Sequence, residues 1–270
     1  MRCIFCKQTS DNSISREHIV PESFGNKDYI LGPGWVCDVC NNYLSRKVEA
    51  PFLDSFYGRQ SRFEMKIPSK RGRIPTGKGL HPQSATKINL LFDGEGLSFF
   101  AADGEDESHF IQTLRMQDRG SFLVPTVSVP ENNYATARFV GKVAFEIFTH
   151  RGMTLNGWNS EIVNKTEFDE LRDYIRRGRP GFVWPVSIRR IYDSSQVFSD
   201  KKDSCFQVLN EWDILFIPTS DSMISGELYV VIAMLGVEYA MNLGGPELDG
   251  YMKWLKENKG RSYLYSGKNA

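Results

Sequence analysis

Four cysteines constrain this chain more than any other feature. Cys3 and Cys6 are two residues apart, thirty residues follow, and Cys37 and Cys40 repeat the spacing. Each pair puts two thiolates on one tight turn, and two such turns close a tetrahedron around Zn²⁺. A redox dithiol would need one pair only, and paired disulfides would need an oxidising compartment. The N-terminus, Met1-Arg2-Cys3-Ile4-Phe5-Cys6, lacks the apolar stretch of a signal peptide, so the cytoplasm and reduced thiols are expected. No apolar run approaches the roughly 18 residues of a membrane span, so no membrane partner is expected. A structural zinc held by Cys3, Cys6, Cys37 and Cys40 follows. Cys205, in "SCFQVL", stands apart and is expected to be a buried small hydrophobe.

The cysteine unit, residues 1–56, has too few large apolar side chains for a core of its own, which is where a metal staple helps. Composition changes next. From Arg59 to Lys78 seven residues are basic (Arg59, Arg62, Lys66, Lys70, Arg71, Arg73, Lys78) and only Glu64 is acidic. Gly and Pro break the stretch, so it reads as a loop or a twisted hairpin and not a helix, and 57–87 as a basic linker. Formal net charge is zero, from 33 basic and 33 acidic residues, so affinity for phosphate has to come from such local clusters. Lys70, Arg71 and Arg73 are the expected contacts here, with a solvated linker as the alternative.

Residues 88–270 read as an α+β domain with a mostly antiparallel sheet. "KINLLFDGEGLSFFAA" predicts two strands around Asp93-Gly94. Val140, Val143, Ala144, Ile147 and Phe148 recur at helical spacing, and a second helix is predicted from Thr166 to Gly178. "VWPVSIRRIY", "CFQVLNEWDILFIP" and "GELYVVIAMLGVEYAMNL" read as strands, the last turning near Gly236. A short helix over 247–257 and a loose tail after Lys259 complete the reading. "ELYVVIAML" suits a core or an interface equally well.

Between the cysteine pairs lies "SREHIVPESFGN". In an extended segment Glu17 and His18 point to opposite faces. Asn41 directly follows the last cysteine and opens a predicted helix in which Tyr43, Leu44 and Val48 face inward; Asn42 is the alternative amide. A carboxylate and an amide carbonyl suit a hard cation, Mg²⁺ or Mn²⁺, that keeps waters and binds phosphate. A neighbouring neutral histidine can take a proton from water. Together these groups describe a site for hydrolysing phosphodiesters. Arg46 and Lys47, on the following helix, are candidate phosphate contacts. His81, His109 and His150 show no ligand spacing, "DGEDE" (103–107) reads as an exposed acidic loop, and Trp158, Trp184, Trp212 and Trp254 read as core.

Cys3-Ile4-Phe5-Cys6, Glu17-His18-Ile19-Val20-Pro21 and Cys37-Asp38-Val39-Cys40-Asn41 occur in an order that resembles the HNH endonucleases of the ββα-metal group, in particular the zinc-stapled type. The resemblance covers about residues 1–50. It implies a small zinc-bound ββα-metal domain, with His18 as general base, Glu17 and Asn41 as ligands of the catalytic metal, and the four cysteines on structural zinc. It implies a DNA endonuclease acting on double strands, in restriction, anti-phage defence or homing. One site per chain would nick, and a homodimer would cut both strands. Two departures stand out: the acidic position is more often Asp, and the usual Asn shortly before the second cysteine pair is absent from "ILGPGWVC", leaving Asn26 as an early substitute. The competing readings are a non-catalytic zinc-stapled nucleic-acid-binding module and a protein-interaction adaptor.

Overall fold

Glu17 and His18 form strand β1 (Glu17–His18), which pairs antiparallel with β2 (Ile30–Leu31) in the register Glu17–Leu31 and His18–Ile30. Helix α1 (Asp38–Leu44) begins at the second cysteine pair and runs through a π-wound turn, Ser45–Glu49, into α2 (Ala50–Leu53). Pro51 explains the change of winding. It has no N–H for the carbonyl of Lys47, four residues back. Ala50 N–H reaches Ser45 O instead, and Arg138 Nη1 donates to the orphaned Lys47 carbonyl at 3.2 Å. Leu44 and Val48 are buried as expected, but Tyr43 is exposed, with its hydroxyl accepting from Arg138.

Residues 54–128 form one compact unit. Ser55 caps helix α3 (Phe56–Glu64) by accepting from Gly58 N–H at 3.1 Å. Strands β3 (Gly77–His81), β4 (Thr86–Phe92) and β5 (Leu97–Ala101) make an antiparallel sheet, followed by helix α4 (Glu107–Arg115). Phe63, Ile88, Leu90 and Phe110 are its core. The expected loop over 57–87 is therefore corrected: its first part is helical and its last part is a strand. Ser55 and the apolar Phe63 outweigh the charged and glycine residues between them. The acidic loop ends in Asp106, which caps α4 by accepting from His109 N–H.

Residues 1–53 and 129–270 form the other unit. It adds α5 (Tyr134–Asn156), α6 (Asn159–Asn164), a 3₁₀ turn Thr166–Phe168, α7 (Asp169–Arg177), β6 (Ser187–Arg190), β7 (Phe198–Ser199), β8 (Cys205–Phe206), β9 (Asn210–Pro218), β10 (Gly226–Met234), β11 (Val237–Asn242) and α8 (Asp249–Glu257). The computed structural model describes residues 1–69, 71–92, 96–156, 159–193, 198–199, 205–206, 210–218 and 225–265, with the side chains of 153–156, 159–160, 198–199 and 205–206 set aside. Asp93-Gly94, Trp158 and the side chain of Cys205 lie outside that description.

The main sheet is antiparallel throughout, in the order β6-β11-β10-β9. Leu235 and Gly236 join β10 to β11 with φ of 50° and 77°, the two positive values that a tight two-residue hairpin needs. Tyr229, Val231 and Ala233 of β10 pack with Tyr251 and Leu255 of α8. The intervening Val230, Ile232 and Met234 are equally buried, so β10 is covered on both faces and "ELYVVIAML" is core.

Helix α5 is buried on every side from Ala137 to Ile147. It packs on β10 and β11, and it supplies the core that the cysteine segment lacks. Phe139 stacks on Phe52, with ring centroids 4.0 Å apart, and Phe145 packs on Phe5. The helix continues to Asn156, and His150 lies within it. The described part of the tail, up to Tyr265, is corrected as well: Ser262 and Leu264 are buried, and Tyr263 donates to the Ile214 carbonyl.

Candidate functional site

The four cysteines meet. Cys3 and Cys6 lie in the first turn of the chain, Cys37 is the N-cap of α1, and Cys40 sits one turn on. All four sulfurs lie within 4.8 Å of one another, and Cys6 Sγ and Cys37 Sγ are 3.7 Å apart. A ZnS₄ tetrahedron with Zn–S near 2.3 Å has edges of about 3.8 Å, so the donor set fits zinc. The sulfurs already compete for protons. A hydrogen bond from Cys40 lowers the Cys3 thiol to about 5, and burial pushes Cys6 up to about 11. Cys40, bonded to Cys3 and buried, is raised far more. Arg172 on α7 donates to the Ile4 carbonyl at 2.9 Å, which ties the first cysteine turn to the body of the unit.

The second cysteine turn also holds the strand that carries Glu17 and His18. Asp38 in the first turn of α1 accepts from the N–H groups of Ile14 and Ser15, at 3.2 and 3.0 Å, and from the Ser15 hydroxyl. One turn later Asn41 Nδ2 donates to the Arg16 carbonyl at 3.2 Å. Two side chains of one helix thus grip the residues before Glu17. Asn41 is half-buried and Asn42 is exposed.

Glu17 and His18 differ in surroundings, as alternation along β1 requires. His18 is half-buried and Glu17 is 5% exposed. The Glu17 carboxylate meets Lys142 of α5 at 2.6 Å. Lys142 is fully buried and also lies 2.7 Å from Glu49 and 3.0 Å from Glu146. Its ammonium donates to the carbonyls of His18 (2.8 Å) and Ile19 (3.2 Å). Burial alone would lower the pKa of Lys142, but Glu146, Glu17 and Glu49 hold it well above the ordinary value. Burial pushes the Glu146 carboxyl the other way, well above its ordinary value, with Lys142 opposing.

Asn26 closes the loop between β1 and β2. Its Nδ2 donates to the carbonyls of Val20 (2.7 Å) and Tyr29 (2.8 Å), and its Oδ1 accepts from Asp28 and Tyr29 N–H (3.1 and 2.9 Å). It is 2% exposed. Asn26 thereby fixes the loop that follows His18.

The remaining sequence candidates separate. Arg46 and Lys47 are exposed on the π-wound turn, and Arg71 and Arg73 are exposed after a turn organised by Ser69. Lys70 lies outside the described residues. His81 is a core histidine bonded to Ser84 and packed on Phe110, and Trp184 is buried.

Sequence reasoning missed Lys142, Glu49, Glu146 and Asp38. One signal was present for the first. Lys142 and Glu146 stand four apart inside "FVGKVAFEIF", and a charged pair within an apolar helix face is a buried pair.

No curated protein and no solved structure matches the chain. The N-terminal geometry has a family counterpart: residues 3–57, from the first cysteine to the start of α3, match the family model of the HNH endonuclease and form an HNH endonuclease domain with four cysteines placed for zinc.

Proposed function

We propose that this chain is a metal-dependent endonuclease that hydrolyses phosphodiester bonds in DNA, with double-stranded DNA as its substrate. The observation that carries the reading is the grip of Asn41 on the Arg16 carbonyl, which brings an amide on the zinc-anchored helix beside Glu17 and His18. The HNH domain itself supports a nuclease.

His18 is the general base and takes the proton from the attacking water. Lys142 and Asn26 position it: one binds its carbonyl, the other fixes the loop that follows. Glu17 and Asn41 would hold a divalent cation of the Mg²⁺ or Mn²⁺ type. The amide nitrogen of Asn41 is engaged by Arg16, which leaves Oδ1 as its ligating atom. Bound there, the cation supplies charge stabilisation for the phosphate. Arg46, Lys47, Arg71 and Arg73 are proposed phosphate contacts.

A second reading, a zinc-stapled binding module without catalysis, is favoured by one observation. Lys142 already satisfies the Glu17 carboxylate. The two separate on supercoiled plasmid incubated with Mg²⁺, Mn²⁺, Ni²⁺ or EDTA. The nuclease reading expects metal-dependent nicking or linearisation, lowered about 100- to 10,000-fold in His18→Ala. Linear product would support a homodimer. Full cleavage by the variant would remove His18 from its role, and binding without cleavage under every metal would favour the module.

A further inference from the structure

The compact unit of residues 54–128 has a cavity of its own, about 610 Å³, between helix α3 and the turn that leads to β3. Arg59, Arg62, Arg73 and Lys78 line it, and among the described lining residues Asp54 is the one carboxylate. The charge is organised. Arg59 and Arg62 project from adjacent turns of α3, and Asn89 on β4 holds the Lys78 ammonium at 2.6 Å.

Arg62 is the distinctive member. It is 7% exposed, yet its buried Nε has no hydrogen-bond partner. Asp54 is engaged by Arg59 at 3.6 Å and makes no ion pair with Arg62. A guanidinium withdrawn from water without an anion is costly, and the cost is recovered when an anion arrives. Burial and the neighbouring Arg59 already disfavour its charge, with Asp54 opposing. The rim adds one more element. Phe56 lines the same cavity and stays 50% exposed, offering a ring face on which a base can stack.

We infer that the Arg59–Arg62–Arg73–Lys78 cavity binds a backbone phosphate of a nucleic-acid strand, with Arg62 as its buried anchor and Phe56 under the adjoining base. This deepens the proposed function and rests on its nucleic-acid part, but neither on catalysis nor on a duplex substrate, since the base over Phe56 is an unpaired one. Residues 54–128 become a substrate-holding unit in their own right. The cations come from two sequence segments that composition alone joined into one linker.

The test uses the full chain with the His18→Ala change, so that binding is read without cleavage. A fluorescent single-stranded oligonucleotide is titrated at several salt concentrations. Arg62→Gln is expected to weaken binding roughly tenfold and to reduce the slope of log K against log salt by about 1. Arg59→Gln, at an exposed position, is expected to move both quantities in the same direction and guards against a folding defect in the first variant. Phe56→Ala is expected to weaken binding with the salt slope unchanged, because stacking releases no counterions. Unchanged affinity and slope in both arginine variants would overturn the inference. Stabilisation of the protein by inorganic phosphate or a mononucleotide, lost in Arg62→Gln while oligonucleotide binding persists, would reassign the cavity to a small phosphate and overturn it too. Plasmid cleavage by the chain with His18 intact tests the nuclease reading separately, so either can fail alone.

Discussion

Lys142 and Glu17 form a buried ion pair at 2.6 Å, with the lysine fully withdrawn from solvent. The pair joins the strand bearing His18 to the central helix of its unit, and the same ammonium holds the His18 carbonyl. The candidate general base is therefore positioned from a helix more than a hundred residues further along the chain, outside the matched family segment.

Replacing Lys142 by Met removes the cation that Glu17, Glu49 and Glu146 share and leaves buried carboxyl groups uncompensated. Breaking a buried pair in this way costs about 3–5 kcal/mol. Urea unfolding is expected to show a loss of that order. Adding Glu17→Gln to Lys142→Met is expected to restore part of it, since one stranded charge is removed. Wild-type stability in the single variant would mean that the cluster is not closed as described.

Asn26→Ala deletes four hydrogen bonds from a buried loop. The expected loss is about 2–4 kcal/mol, because carbonyls and N–H groups are left unpaired. Plasmid cleavage is expected to fall with it, and zinc content to stay unchanged. Normal cleavage at normal stability would show that His18 is positioned without this loop.

Zinc is expected at about one ion per chain by metal analysis. Removing it with a strong chelator is expected to lower the melting temperature and release the grip of α1 on residues 14–16, since Cys37 and Cys40 open that helix. Cys40→Ser is expected to reproduce the effect without chelator. A metal-free protein of unchanged melting temperature would contradict a structural role.

Asp169 gives a pH signature. Burial alone would raise its pKa, but hydrogen bonds from Lys7 and Arg172 hold it below the usual carboxylate value. A carboxyl with a depressed folded pKa contributes stability above its unfolded value, near 3.8, and loses it as pH falls through the folded one. Melting temperature is expected to drop less steeply below about pH 4 in Asp169→Asn than in the wild type. The side chain is 43% exposed, so the effect is small. Identical acid limbs would show that the pair does not persist in solution.

Much of the fold was legible because its signals are local. The cysteine spacing specified the metal turns, and the alternation of Glu17 and His18 specified their opposite faces. The apolar stripe of Val140, Val143, Ala144 and Ile147 specified α5, and Gly236 marked the β10–β11 turn. Helix α3 was lost among charges and glycines, because its stability comes from the Ser55 cap and from packing Phe63 against β4 and α4. The π-wound turn was hidden for a similar reason: Pro51 announces a break, but only Arg138 on a distant helix makes the break tolerable.

The sequence by itself determined which residues can bind metal and move a proton, since those abilities belong to side-chain chemistry and short spacings. Only the tertiary structure decided how those groups are held. It set Lys142 against Glu17, gave the cysteine segment the core of α5, and buried Arg62 without an anion. A charge leaves water only where distant parts of the chain close around it, and no local pattern records where that closure falls.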